Sequence, residues 1–357
     1  MEPIFLSEIY CSVERCVVSN KWGVILVNLG TPEAPTAAGV RRFLAEFLSD
    51  PRVVEIPALI WKPILYGFIL PFRAKRVAKL YREIWTERGS PLKSITEDQT
   101  VALQRRLSEL YGVEAPQVVY AMTYGATKLK DRVAELEAKG VERILILPLY
   151  PQYSATTTAA VYDQYAQLIS EQRNISDIIV HKSYCSRDDY IRALSASIRA
   201  YWKTRKPAQK LLFSFHGIPK RCVELGDPYF EQCQMTARRV ASELELDDEA
   251  WAVSFQSRLG RAEWLTPYTD QLLAQWAKSD IASVDIICPA FASDCLETIE
   301  EIDCENRELF LNAGGQEYGV VPCLNSNPEH IVLLGNIVEE YVGQTHRSSG
   351  NQYFSRP

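Results

Sequence analysis

Leu211-Leu212-Phe213-Ser214-Phe215-His216-Gly217-Ile218-Pro219 decides how this chain is read. An apolar run of strand length stops at an imidazole, and a glycine and a proline close by end the regular structure. Continuous rather than alternating hydrophobicity marks a strand covered on both faces, as in parallel sheets flanked by helices. Runs of the same kind are Gly23–Asn28, Val118–Met122, Arg143–Leu149, Ala252–Phe255, Ser283–Pro289 and Tyr318–Pro322. Helical patterns separate them over Thr96–Tyr111, Leu129–Lys139, Ala159–Glu171, Asp188–Lys203, Tyr229–Leu244, Thr266–Lys278 and Leu296–Ala313. Gly112, Gly140 and Gly314 stand where helices would end, and Asn327-Pro328-Glu329 where a last one would begin. Strand–helix alternation over the whole length predicts an α/β protein with mostly parallel sheets.

A chain of 357 residues has room for two such units. The pattern divides into an extension over 1–20, one unit over 21–185, a second over 186–327, and a tail over 343–357. The helix over 328–342 is expected to pack back on the first unit. A net charge of −6 argues against nucleic acid as a partner. Nine cysteines without any C-x-x-C spacing read as reduced thiols of a cytoplasmic protein. Met1 to Asn20 lacks the basic start and clean apolar stretch of a signal peptide. No eighteen-residue apolar run predicts a membrane span. The nearest approach is Ile56 to Phe72, broken by three prolines, Lys62 and Gly67, and followed by Arg73, Lys75, Arg76 and Lys79. That pattern suits a core helix with a basic continuation, an interfacial segment in peripheral contact with a membrane, or the rim of an apolar pocket. Neither G-x-G-x-x-G nor G-x-x-x-x-G-K-[ST] follows the first strand, which weakens a nucleotide-binding reading.

Three constellations carry chemistry. Ligands of open α/β sheets bind beyond the carboxyl ends of strands, where His216 is expected. An imidazole there can accept protons near neutral pH or hold a metal, although a structural histidine bonded to a backbone carbonyl would read the same way. The run Asp294-Cys295-Leu296-Glu297-Thr298-Ile299-Glu300-Glu301-Ile302-Asp303-Cys304-Glu305 follows another strand end. In an α-helix it would align Glu297, Glu301 and Glu305 on one face, as a solvated surface or as a conduit for protons or divalent cations. His216 with Glu297 suits proton transfer or a loose site for a first-row divalent metal. Aromatic residues at other strand ends, Tyr150, Trp264 and Phe291, suit core packing or the walls of a flat apolar ligand site.

Taken together these segments resemble the ferrochelatases, which insert ferrous iron into a porphyrin in the last step of haem synthesis. The matching stretches run in family order: Val27–Pro32, Phe47–Val53, Ile84–Thr86 with Gly89–Pro91, Leu149–Ser154 with Thr156–Thr158, Ser214–Pro219 with Gly226–Tyr229, Ser254–Arg258, Trp264–Pro267 and Asp294–Glu301. The resemblance implies a chelatase-like α/β fold of two Rossmann-like domains. Each would be a parallel four-stranded sheet flanked by helices, with a central cleft between them and no nucleotide. It implies that His216 and Glu297 are the catalytic and metal-contacting pair, and that Glu301 and Glu305 form a proton or metal conduit. It places Leu29, Tyr150, Trp264 and Phe291 in the porphyrin cavity. Arg73 falls in the basic segment near the propionates, with Tyr81 and Ser90 close by. Fe2+ and the porphyrin would be substrates and no resident cofactor is expected. No cysteine follows Cys323, so neither is the C-terminal iron–sulfur cluster of some members. Two positions depart from the family: Thr123 stands where arginine is usual, and Cys295 where animal members carry histidine. A chelatase for another metal or tetrapyrrole, a non-catalytic porphyrin-binding protein, and a two-domain binding protein for sugars or amino acids are the rival readings.

Overall fold

The protein is described by a computed structural model covering residues 21–260 and 262–350. The expected extension over 1–20, with Cys11 and Cys16, and residues 351–357 of the tail lie outside the described residues. The first half runs β1 (Trp22–Gly30), α1 (Ala37–Phe47), α2 (Ala58–Ile64), a π-helical turn (Leu65–Ile69), α3 (Leu70–Ile84), α4 (Pro91–Tyr111), β2 (Gln117–Tyr124), α5 (Leu129–Ala138), β3 (Arg143–Pro148), α6 (Thr158–Glu171) and β4 (Asp177–Val180). The second runs α7 (Asp188–Trp202), β5 (Lys210–His216), α8 (Lys220–Glu224), α9 (Tyr229–Glu243), β6 (Trp251–Gln256), α10 (Thr269–Lys278), β7 (Ser283–Ile287), a π-helix (Glu297–Asn306), α11 (Arg307–Asn312), β8 (Glu317–Val320) and α12 (Pro328–Gly350).

Among the described residues the strands form two four-stranded sheets of the same topology, β2-β1-β3-β4 and β6-β5-β7-β8. Every pairing is parallel. The continuous apolar runs explain this: β1 is buried along nearly its whole length, as a strand with helices on both faces must be. One apolar core passes through both halves, joining Val24 and Leu26 of β1 and Leu145 and Leu147 of β3 to Leu211 and Phe213 of β5. Separate clusters cover the outer faces, around Ile25 and Val133 in one half and Leu273 and Phe310 in the other. Helix α12 lies against α4 and α7, and Arg106 of α4 donates to Asn336 of α12 at 3.3 Å.

Several elements differ from the pattern read off the sequence. β4 has four residues, none fully buried, so no long apolar run announces it. α1 is started by Thr36, whose hydroxyl accepts from Gly39 N at 3.1 Å, ahead of the buried stripe of Val40, Phe43 and Leu44. α4 begins at Pro91 rather than Thr96, with proline where its missing N–H costs nothing. The stretch expected as one α-helix over Leu296–Ala313 is a π-helix followed by a short α-helix.

The loop after β3 is held by the second half. Asp227 accepts from Ser154 Oγ at 2.9 Å, Ala155 N at 2.7 Å and Tyr229 N at 3.0 Å. Gln232 of α9 accepts from Tyr153 N at 2.7 Å, and Gln152 donates to Thr236 Oγ1 at 3.0 Å. Asp227→Ala strands buried donors and is expected to cost about 1–3 kcal/mol. Urea denaturation reads this directly, and an unchanged midpoint would remove Asp227 from the interface.

Candidate active site

In each sheet the strand order reverses beside the first strand, so a crevice opens between the carboxyl ends of β1 and β3 and another between those of β5 and β7. Leu29 and Tyr150 stand at the first crevice. His216 and the loop from Pro289 to Leu296 stand at the second. The two crevices face one another: Asn28 Nδ2 lies 3.5 Å from Ser293 Oγ, and α3 packs against the π-helix.

His216 is the last residue of β5, half-buried, with its ring 6.3 Å from that of Phe291. Its Nδ1 lies 2.6 Å from the Gly217 carbonyl oxygen. A carbonyl can only accept, so the proton of the neutral ring sits on Nδ1 and Nε2 keeps its lone pair. Gly217 is required where it stands. A Cβ there would lie 2.9 Å from the Gln256 carbonyl oxygen and 3.3 Å from Trp264 Cε3. Trp264 is itself fixed by a bridge to Pro219 and by donating to Leu259 O at 3.1 Å. Gly30 has the corresponding role after β1, with φ +111° and the Tyr124 carbonyl oxygen 1.8 Å from a would-be Cβ.

Glu297 opens the π-helix, and its carbonyl accepts from Gln256 Nε2 at 3.2 Å. Its carboxylate lies in the field of Arg73 and Tyr81 on α3 and of Glu301 one turn on. Burial pushes the Tyr81 hydroxyl far above the ordinary phenol range, and the Glu297 charge pushes it further. Burial lowers the Arg73 guanidinium, with Arg76 adding to the effect and Glu297 opposing it. Among the described residues Arg73 has no ion pair within salt-bridge distance, so a half-buried cation is left in the field of Glu297. Glu301 accepts from Ser257 N at 2.8 Å and from Ser257 Oγ. Ser257 adopts φ +60° to present both donors. Burial raises the Glu301 carboxyl above the usual range, while Ser257 and His216 pull it down and Glu297 pushes it up.

The π-helix changes the acidic face expected from α-helical spacing. Bonding from i to i+5 widens the turn, so residues five apart also stack. Glu300 therefore joins the row: it is 8 % exposed and lies near Glu305, Glu83 of α3 and Glu301. Glu305 is exposed at the outer end. Among the described residues no three His, Cys, Asp or Glu side chains are grouped as a tight metal site requires. A divalent ion held by His216 and Glu297 would keep open positions.

The remaining candidates are buried or half-buried. Tyr150 is buried, its hydroxyl 3.4 Å from Thr123 Oγ1. Thr123 is itself buried and lies 3.3 Å from the Asn28 carbonyl oxygen. The usual arginine position is thus filled by a small hydroxyl packed under the tyrosine. Leu29 bridges the clusters of the first sheet and of α1 and α3. Ser90 is buried at the start of α4, but its side chain does not cap the helix. Cys295 is a buried free thiol beside Glu297. Ser257 and Glu300 are not among the candidates read from the sequence: Ser257 stands inside the Ser254–Arg258 motif, and Glu300 falls outside the α-helical face of Glu297, Glu301 and Glu305.

Glu300 has a titration consequence. Burial, then the charges of Glu305, Glu83 and Glu301, push its carboxyl up to about 7, with Arg76 opposing. The folded value lies above the unfolded one, so the folded state binds more protons. Its contribution to stability is present below the unfolded pKa and is lost as pH rises through about 7. Between pH 5 and pH 8 the wild type is expected to lose about 1 kcal/mol, after allowance for solvent screening, that Glu300→Gln retains. Urea titrations of both proteins at the two pH values check this, and parallel losses would count against it.

A family model described as Ferrochelatase matches residues 21–342. Ferrochelatase 1 of Shewanella oneidensis is 50 % identical over 90 % of this chain and 96 % of its own length. The ferrochelatase of Aeromonas hydrophila is 47 % identical over 90 % and 98 %. Among solved structures, SirB from Bacillus subtilis with Fe3+ superposes with a TM-score of 0.54 at 12 % identity, over 94 % of this chain and all of the other. A sirohydrochlorin chelatase SirB in complex with cobalt gives 0.53 at 10 %, over 90 % and 96 %. At such identities these two speak for the fold alone, an α/β chelatase fold. The matching strand-end motifs and the near-complete coverage place this chain in the ferrochelatase family.

Proposed function

We propose that the chain inserts Fe2+ into protoporphyrin IX, giving protohaem and two protons, with His216 and Glu297 at the reacting centre. The observation that carries this is the open Nε2 of His216 at a strand end, beside a row of carboxylates. A porphyrin must lose two pyrrole protons before its nitrogens can take up the metal. His216 Nε2 receives a proton, Glu297 assists, and Glu301, Glu300 and Glu305 lead protons or cations to the surface. Ser257 keeps Glu301 aimed along that row. Leu29, Tyr150, Trp264 and Phe291 supply apolar and aromatic walls that exclude water and hold a distorted macrocycle. Arg73, half-buried and unpaired among the described residues, suits a propionate carboxylate. Tyr81 lies in the field of Glu297, and Tyr81 and Ser90 would stand near the propionates. Fe2+ is a substrate, and no resident cofactor or iron–sulfur cluster enters the scheme.

The lip is the proposed route for an apolar substrate. Leu59, Phe68 and Phe72 are 92 %, 69 % and 75 % exposed, with Ile56, Ile60 and Ile64 also exposed beside Lys62, Lys75, Arg76 and Lys79. A contiguous apolar surface with a basic border fits peripheral contact with an anionic membrane face. No helix among the described residues is long and apolar enough to cross a membrane.

His216→Ala is expected to lower turnover at least about 100-fold while porphyrin still binds, and Glu297→Gln to act similarly at unchanged melting temperature. Anaerobic assays with protoporphyrin IX and Fe2+, with coproporphyrin III, Zn2+ and Co2+ in parallel, read this out. Near-wild-type turnover in His216→Ala would end the proton-acceptor role. For the lip, the double variant Leu59→Gln/Phe68→Gln is expected to lose most co-sedimentation with anionic vesicles yet keep turnover in detergent. Unchanged vesicle binding would remove the lip from membrane contact.

A further inference from the structure

Gln99 of α4 is fully buried and reaches from the first half into the second. Its Nε2 donates to Ala292 O at 2.9 Å and to Asn325 O at 3.0 Å, and its Oε1 accepts from Ser293 Oγ at 3.2 Å. Both amide protons and the carbonyl oxygen are used, so the amide has one orientation and one length. Its partners lie in the loops after β7 and β8. Ala292 and Ser293 follow Phe291 directly. Asn325, held at φ +46°, passes the constraint on: its side chain accepts from Asp294 N at 2.9 Å and donates to Asp294 Oδ2 at 2.7 Å. Asp294 Oδ1 then accepts from Thr298 Oγ1 at 3.1 Å, and Thr298 Oγ1 accepts from Cys295 N at 3.0 Å. Glu297 sits between those two residues, at the first turn of the π-helix.

Each group bonded by Gln99 keeps a second partner without it. Ala292 O also accepts from Asn325 N at 3.0 Å, Asn325 O lies 2.6 Å from His330 Nδ1, and Ser293 Oγ lies 3.5 Å from Asn28 Nδ2. Removing the amide therefore leaves both carbonyls with a donor, and of the three partners just the Ser293 hydroxyl loses the acceptor for its proton. What is lost is the tie between α4 and the loop that delivers Phe291 and Glu297. We propose that Gln99 is a positioning residue for metal insertion, setting the distance from the first sheet's edge to Phe291 and Glu297 on the second. This rests on the function proposed above. A macrocycle gripped between Leu29 and Tyr150 on one side and Phe291 and His216 on the other is bent only if those walls hold their spacing. A displacement of about 1 Å can cost on the order of 100-fold in rate.

Gln99→Met keeps the length of the side chain and removes all three hydrogen bonds. Its kcat is expected to fall about 10- to 100-fold, with KM for protoporphyrin nearly unchanged and the melting temperature within about 4 °C of wild type. Resonance Raman of the bound, metal-free porphyrin is expected to show weaker out-of-plane modes. A wild-type kcat, or a loss of activity matched by loss of folded protein with the out-of-plane modes intact, overturns the proposal. If Gln99→Met does not fold, Gln99→Asn, which keeps an amide one methylene short, takes its place with the same expected outcomes. The Raman readout needs no turnover. A wild type that distorts porphyrin but inserts no metal would count against the proposed function, and the variant spectrum would still decide the role of Gln99.

Discussion

Two parallel sheets can meet at their carboxyl ends only if the polar groups gathered there find partners. Strand ends and loops carry unpaired N–H and C=O groups, and burying them without partners costs more than the apolar contact returns. Side-chain amides and a carboxylate meet this constraint at the junction of the halves. Gln99, Asn28 and Asn325 satisfy one stretch of it, and Gln152, Gln232 and Asp227 another. Beneath them the core runs unbroken from β1 and β3 to β5. The shared core makes the halves one body, and the amides set how the two crevices face each other.

That arrangement lets the proposed chemistry rest on few residues. His216 is aimed by the end of β5 and by one hydrogen bond to its own neighbour's carbonyl. Gly217 is small because Trp264 and the end of β6 close in on it. Glu297 is aimed by the first turn of a helix whose i to i+5 bonding also turns Glu300 inward. Carboxylates packed this closely hold protons that separate acids would release, as the raised carboxyls of Glu300 and Glu301 show. The lip helices α2 and α3 close the same region. Their buried side packs near Leu29, Tyr124 and Leu296, and their outer side carries the exposed apolar surface.

Much of this was legible in the residues. The apolar runs at β1, β2, β3, β5, β6, β7 and β8 are continuous because both faces are buried, and that periodicity is local information. The α/β class, the parallel sheets and the strand-end place of His216 follow from it, and the motif resemblance leads to the ferrochelatase family. β4 stayed hidden because a short, half-covered strand has no such run. The π-helix stayed hidden because Glu297–Asn306 shows an acceptable α-helical spacing, and the wider turn depends on what packs against it.

What the sequence alone determined is which side chains end the strands and where the chain reverses, because hydrophobic period, proline and glycine act on neighbours. Only the tertiary structure decided that Arg73 and Tyr81 look onto Glu297, that Ser257 clamps Glu301, and that Gln99 ties α4 to the loop before the π-helix. Those pairs are separated by dozens to hundreds of residues. Their meeting follows from the burial of shared apolar surface and the matching of buried donors to acceptors, and neither leaves a local signal in the chain.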